Sequence, residues 1–163
     1  MALQAINPDK NAAKKPIIKG KIPVFYSDGY QLEAVGTRFK GQIAENAKSM
    51  AFSNVFPELN HNEIVGWGIP TWTSEKLCAV FLEDSDSSPE VDLQMQSMKG
   101  ILIDNNIQTH TIKSQGESFL ERMLYLVHFG DWLSWHLARV TGVDPIPVER
   151  IDLLKNRLSP NKK

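Results

Sequence analysis

A three-layer α/β/α sandwich, flavodoxin-like and built on a small, mainly parallel sheet, is the fold class this sequence predicts. Three observations predict it. Short apolar runs alternate along the chain with helical patterns, which implies parallel strands joined by right-handed crossovers. The run "KLCAVFLED" is apolar without alternation and bounded by charge, as a strand covered on both faces should be. The helical patterns are amphipathic, each with an apolar stripe to lay against such a sheet. The 163 residues suffice for one domain with a real core and are few for two.

Residues 1–20 are polar and rich in Asn, Lys and Ala, and read as a tail or interdomain connector ahead of a domain at 21–160. "IPVFYS" (Ile22–Ser27), closed by "DG", reads as the first strand and its turn. From Gln31 to Ala51 the pattern is helical, with Leu32, Val35, Phe39 and Ile43 on one stripe. Lys76 to Asp84 is the next strand. Ser88 then caps a helix whose first position suits Pro89 and whose positive end suits Glu90 and Asp92. That helix fades near Asn105, and the alternating "IQTHTIKS" (Ile107–Ser114) makes a third strand. A long amphipathic helix runs from Gly116 to Val140 and ends at Gly142 and Pro145. Ser114 reads as a cap before that helix, with anion binding at the helix N-terminus as the alternative. A last helix, "PVERIDLLKNRL", starts at Pro147 and ends before Pro160.

Composition narrows the function classes. Hydrophobic residues make up 42% and charged residues 23%, as in ordinary globular proteins. The net charge is -1 and the basic residues are scattered, so nothing favours nucleic acid or an anionic membrane surface. No apolar run reaches the ~18 residues of a membrane span, and the N-terminus lacks the apolar core of a secretory signal. The single cysteine, Cys78, reads as a small buried hydrophobe on a strand. Such cysteine usage fits a reducing cytoplasm, where the chain is expected to reside.

No metal and no cofactor is expected. The acidic "EDSDSS" reads as loop and cap, without the spaced ligands of a calcium loop. His128 and His136 read as core or surface-edge histidines, with no zinc spacing to a further ligand. Trp132 and Trp135 read as packing residues. No P-loop, G-x-G-x-x-G or G-x-S-x-G string occurs.

Three places carry candidate chemistry. Arg38, Gln42 and Glu45, spaced by four and three, share one helix face. That face lies ~100° from the apolar stripe, beside the buried seam, where either a cleft edge or a solvated helix side belongs. Gly41 within the same helix costs about 1 kcal/mol against alanine and invites a close neighbour or ligand. "ELNHNEI" (Glu58–Ile64) sets His61 between two asparagines in apolar surroundings. It is either a turn residue or a proton-transfer group for neutral pH. Lys155 sits on the amphipathic last helix, where an ordinary exposed lysine is the plain reading. The residues alone stop at an α/β domain with a candidate acid–base site.

Four strings add to this: "GKIPVFY", "RFKGQIAENAKSMAF", "NVFPELNHNEIVGW" and "LVHFGDWLSWHLARVTGVDPIPVERIDLLKNRL". Together, from about Lys21 to Leu158, they resemble the C-terminal half of the bifunctional phosphoglucose/phosphomannose isomerases. That family belongs to the sugar-isomerase (SIS) domain group of the phosphoglucose isomerase superfamily. The resemblance implies an SIS-type fold and an aldose–ketose isomerase of glycolysis or gluconeogenesis. It would interconvert glucose 6-phosphate or mannose 6-phosphate with fructose 6-phosphate through a cis-enediol. The resemblance makes Glu45 of "ENAK" the base that moves a proton between C2 and C1. It makes His61 of "NHNE" the ring-opening histidine, reaching the site from the neighbouring subunit of a homodimer. Lys155 of "DLLK" falls on a lysine near the ring oxygen, and Arg38 and Gln42, on the face of Glu45, are the substrate-binding candidates. No cofactor or metal is implied.

Members of that family carry two SIS domains in one chain. The first supplies hydroxyl-rich loops for the sugar phosphate and an arginine for the enediolate. This chain starts near where the second begins, so it is expected to lack an N-terminal SIS domain and to be incomplete alone. The alternative from another class is a non-catalytic, sugar-phosphate-binding regulatory SIS module. The joint presence of Glu45, His61 and Lys155 argues against it, because binding alone needs no base.

Overall fold

A computed structural model describes residues 18–159. The expected tail lies outside the described residues as far as residue 17. Ile18 is fully buried, so the packed unit begins at least there.

The order of elements is β1 (Ile22–Asp28), α1 (Glu33–Ala47), β2 (Phe52–Phe56), two 3-10 turns (Glu58–His61 and Glu63–Gly66), α2 (Trp72–Lys76), β3 (Leu77–Glu83), α3 (Pro89–Asp104), β4 (Thr109–Lys113), α4 (Phe119–Thr141) and α5 (Glu149–Leu158). The four strands form one sheet in the order β2-β1-β3-β4, and every pairing is parallel. This is the expected α/β sandwich.

Strand alternation sorts the core into two. Phe25, Cys78, Val80 and Leu82 face one side, where Val35, Phe39 and Ile43 of α1 and Leu126 and Leu137 of α4 cover them. Val24, Tyr26, Ala79 and Phe81 face the other, beneath Val91, Met95, Met98 and Leu102 of α3 and Leu59 of the first 3-10 turn. β3 is buried over its central five residues, as its unbroken apolar run predicts.

Two elements depart from the expectation. The helix expected over Gln31–Ala51 stops at Ala47, and residues 52–56 form the edge strand β2 instead. Lys48 takes the left-handed conformation (φ 54°) and ends the helix; glycine or asparagine would have announced that stop, whereas lysine does not. Ser114 is not the cap of α4. Its hydroxyl donates to Asp84, and the cap is Ser118, four residues later, in a capping box with Glu121. Ser88 does cap α3, accepting from the Val91 amide.

α5 stands apart. None of its residues is buried, and Ile151, Leu153, Leu154 and Leu158 are all exposed. Among the described residues, no helix is long and apolar enough to cross a membrane.

Candidate active site

Glu45 lies in the last turn of α1. Its side chain is exposed and enters no hydrogen bond or ion pair among the described residues. It lines an open cleft of about 520 Å³ between the end of α1 and the start of α5. Lys48, Asp144, Glu149 and Arg150 supply the cleft's other charges. Lys48 bridges its two walls: the ammonium donates to the Glu45 carbonyl and to the Pro145 carbonyl at 3.2 Å. Ile151 also lines the cleft. Lys155 is one turn beyond Ile151 on the same helix face, ~6 Å farther along the axis, and is not among the residues that line the cleft.

The helix face that carries Glu45 is not uniform. Gln42 is buried, and its amide donates to the Asp131 carboxylate of α4. Arg38 meets the same carboxylate at 3.4 Å while staying half-exposed. Asn46 donates to Ser134 Oγ at 2.8 Å. These contacts sit where α1 and α4 touch most closely. A Cβ on Gly130 would come within 2.9 Å of the Phe39 ring, so glycine is required there. Gln42 and Arg38 thus help seat α1, and Glu45, one turn later, projects past the seam.

His61 is nowhere near. β1 and β2 are parallel, so α1 runs back along the sheet, and Glu45 lies ~18 Å from the start of the helix, at the N-terminal edge of the strands. His61 follows the C-terminal end of β2, on the opposite face, in the turn whose Leu59 enters the second core. It is exposed. One chain therefore places Glu45 and the start of α5 at one end of the sheet and leaves His61 at the other.

The turn carrying His61 is tightly held. The Glu63 carboxylate accepts from the Tyr26 hydroxyl of β1 and from the Asn54 amide of β2 at 2.7 Å. The Trp67 indole donates to the Tyr26 hydroxyl at 2.8 Å. Burial, reinforced by Glu63, pushes the Tyr26 hydroxyl far above its ordinary value, so it stays a hydrogen-bond donor throughout the working range of pH.

In parallel sheets, ligands generally enter where the strand order reverses, outside the carboxyl ends. Here that place lies between β1 and β3. Just beyond the end of β3 lies a buried ion pair: Arg122 Nε donates to Asp84 at 2.7 Å, and its other nitrogens reach Asp86 at 3.0 Å and the Glu117 carbonyl at 3.1 Å. The acidic loop is thus tethered by an arginine. Among the described residues no group of three metal-ligating side chains occurs. Burial pushes the Cys78 thiol up to about 12, so it is inert at neutral pH. Trp132 and Trp135, expected to pack, do contact each other and His136 but remain about two-fifths exposed.

Sequence reasoning missed Lys48, Asp144, Glu149 and Arg150 of the cleft. Their signal was present in "ENAK" and "GVDPIPVERI", strings that close on each other only once the chain is folded.

The family model described as "Bacterial phospho-glucose isomerase C-terminal SIS domain" matches residues 5–158. The bifunctional phosphoglucose/phosphomannose isomerase of Aquifex aeolicus is 39% identical over 141 residues, covering 86% of this chain and 43% of the relative. That of Caldicellulosiruptor bescii is 39% identical over 153 residues, covering 93% and 45%. This chain thus spans under half the length of these relatives. The crystal structure of a glucose-6-phosphate isomerase like protein from Thermus thermophilus shares the fold, with a TM-score of 0.66 at 24% identity over 85% of this chain and 45% of that one. The parallel sheet, the helices on both faces and the match across nearly the whole sequence agree, and the chain belongs to the bacterial phosphoglucose isomerase C-terminal SIS domain family.

Proposed function

We propose that this domain carries the base of a sugar-phosphate aldose–ketose isomerase, and that Glu45 is that base. The observation that carries the reading is a glutamate without a partner among the described residues, in an open cleft with Lys48 and Arg150 beside it. Its place in the helix supports this. A carboxylate in the last turn opposes the helix dipole, a local cost of about 0.3–1 kcal/mol that no ion pair offsets here.

In the proposed reaction the Glu45 carboxylate takes the proton from C2 of the open-chain glucose or mannose 6-phosphate. The C2–H electron pair forms the C1=C2 bond, and the carbonyl oxygen at C1 takes up a proton, giving a cis-enediol. The carboxylic acid then returns its proton to C1 while the oxygen at C2 gives one up, yielding fructose 6-phosphate. Every proton is recovered and no cofactor is consumed. Lys155, one turn beyond the cleft-lining Ile151, is assigned to the ring oxygen during ring opening. His61 exchanges protons with the ring and hydroxyl oxygens. Because Glu45 and His61 lie at opposite ends of the sheet, His61 comes from a second copy in a homodimer. Arg38 keeps a half-exposed guanidinium for the substrate, whereas Gln42 must release Asp131 before it reaches one.

Phosphate binding is where the domain falls short. Among the described residues, Ser49 carries the only hydroxyl side chain lining the cleft, so an N-terminal SIS domain is proposed to complete it. The test is isomerisation of fructose 6-phosphate by this chain, alone and with such a domain added, against Glu45→Gln. Turnover lost in Glu45→Gln is the expected result. Turnover that survives the substitution overturns the assignment.

A further inference from the structure

His61 is exposed, so its position is set by the turn that carries it, and that turn is fastened on both sides. Two residues before it, Leu59 is fully buried. Asn60 donates to Gln94 of α3 at 3.0 Å. Asn62 accepts from the Glu63 amide at 2.6 Å and donates to Glu58 at 3.1 Å. Two residues after it, the Glu63 carboxylate is bonded on both oxygens, one by Tyr26 and one by Asn54. Tyr26 and Asn54 are register partners on β1 and β2, so their side chains rise on the same face of the sheet toward the turn.

An apolar side chain at position 63 would anchor the turn without any need for hydrogen-bond partners. A carboxylate reaching two adjacent strands adds something that apolar contact does not: a fixed distance and direction. The ring of Tyr26 is itself immobilised, edge-on to Phe56 and Trp67 and tilted against Phe81. The rigid sheet thus dictates where the backbone of residue 61 sits.

We infer that Tyr26, Asn54 and Glu63 form a clamp that positions His61 for delivery to the Glu45 cleft of a second copy. They are positioning residues and touch no reacting atom. The inference rests on the proposed role of His61, and its test separates the two.

Tyr26→Phe keeps the ring and removes one of the two strand bonds to Glu63, together with the bond from Trp67; Glu63→Ala removes both strand bonds. In the unaltered chain the backbone order parameter of the His61 amide is expected near 0.85. In Glu63→Ala it falls below about 0.6, with Tyr26→Phe between, while amides of β3 stay rigid. In the turnover assay kcat falls about 10- to 100-fold with KM within about threefold, as a misplaced group predicts. The double variant is no worse than Glu63→Ala, because both substitutions open one clamp. An unchanged order parameter at His61, or a loosened His61 with unchanged kcat, overturns the clamp. Full turnover in His61→Asn places the fault in the role of His61 instead. The order parameters then still decide whether the clamp holds the turn, as they do if the chain alone is silent. Should Glu63→Ala not fold, Tyr26→Phe carries the same two readouts.

Discussion

Glu45 and Glu63 stand at opposite ends of one sheet and are held in opposite ways. Glu63 is half-buried and has both carboxylate oxygens bonded to adjacent strands. Glu45 is exposed, with no partner for its carboxylate among the described residues. At the Glu63 end, Arg122 also bonds Asp84 and Asp86, just beyond the C-terminal end of β3. At the Glu45 end lies the open cleft. Glu63 and Asp84 at the C-terminal edge are tied into the structure, whereas Glu45 at the N-terminal edge lines the cleft with its carboxylate unpartnered among the described residues. The Glu63 carboxylate is held against the sheet by its two donors, whereas the Glu45 carboxylate lines the cleft, where a substrate can reach it.

Substitutions at the two ends should therefore fail differently. The largest effect belongs to Glu45→Gln: turnover falls about 10²- to 10⁴-fold, while the thermal midpoint stays within a few degrees, because an exposed, unpartnered side chain is removed. A large loss of stability in that variant would break the contrast. Arg122→Met should do the reverse. It strands the buried Asp84 carboxylate, which is 0% exposed, and should cost about 3–5 kcal/mol in denaturant unfolding.

Gly130→Ala sharpens the contrast, because it acts on α1, the helix that carries Glu45. The added methyl meets the Phe39 ring at 2.9 Å and should cost about 1–3 kcal/mol. It should lower kcat as well, by displacing α1; a stability loss with kcat untouched would show that the seam does not set Glu45.

The smallest effect is the pH dependence at the bonded end. Burial opposes ionisation of Glu83, but Lys99, Gln96 and Lys113 outweigh it and hold the carboxyl below its ordinary value. A depressed folded-state pKa stabilises fully above the unfolded value of about 4.3 and loses that contribution as pH falls through the folded one. Unfolding midpoints should decline with acidification below about pH 4, and Glu83→Gln should flatten that decline.

The fold was legible wherever burial writes a pattern. β3 is covered on both faces and reads as one unbroken apolar run; α3 carries its cap and proline at the start. β2 was illegible because it is a short edge strand with only Phe56 buried, and because the helix before it ends on a left-handed lysine rather than a glycine. At the candidate site, helical spacing placed Arg38, Gln42 and Glu45 on one face. It did not show that Asp131, 89 residues from Gln42, takes up Gln42, since that contact exists only after α4 packs. The polar "ELNHNEI" was legible as unusual. Its explanation lay in Tyr26 and Asn54, whose hydroxyl and amide look like ordinary strand side chains until the turn folds onto them.

The central claim is that a Glu45 cleft is served by the His61 of another copy. Its most direct test mixes two inactive variants, Glu45→Gln and His61→Asn, after unfolding and refolding them together, and assays the mixture under the conditions, N-terminal SIS domain added where needed, in which the unaltered chain turns over. In a mixed dimer one cleft has lost both groups, and the other combines the intact Glu45 of one chain with the intact His61 of its partner. Random pairing should restore about a quarter of the unaltered rate, because half the dimers are mixed and each has one working cleft of two. A mixture no more active than its two parents would contradict the account.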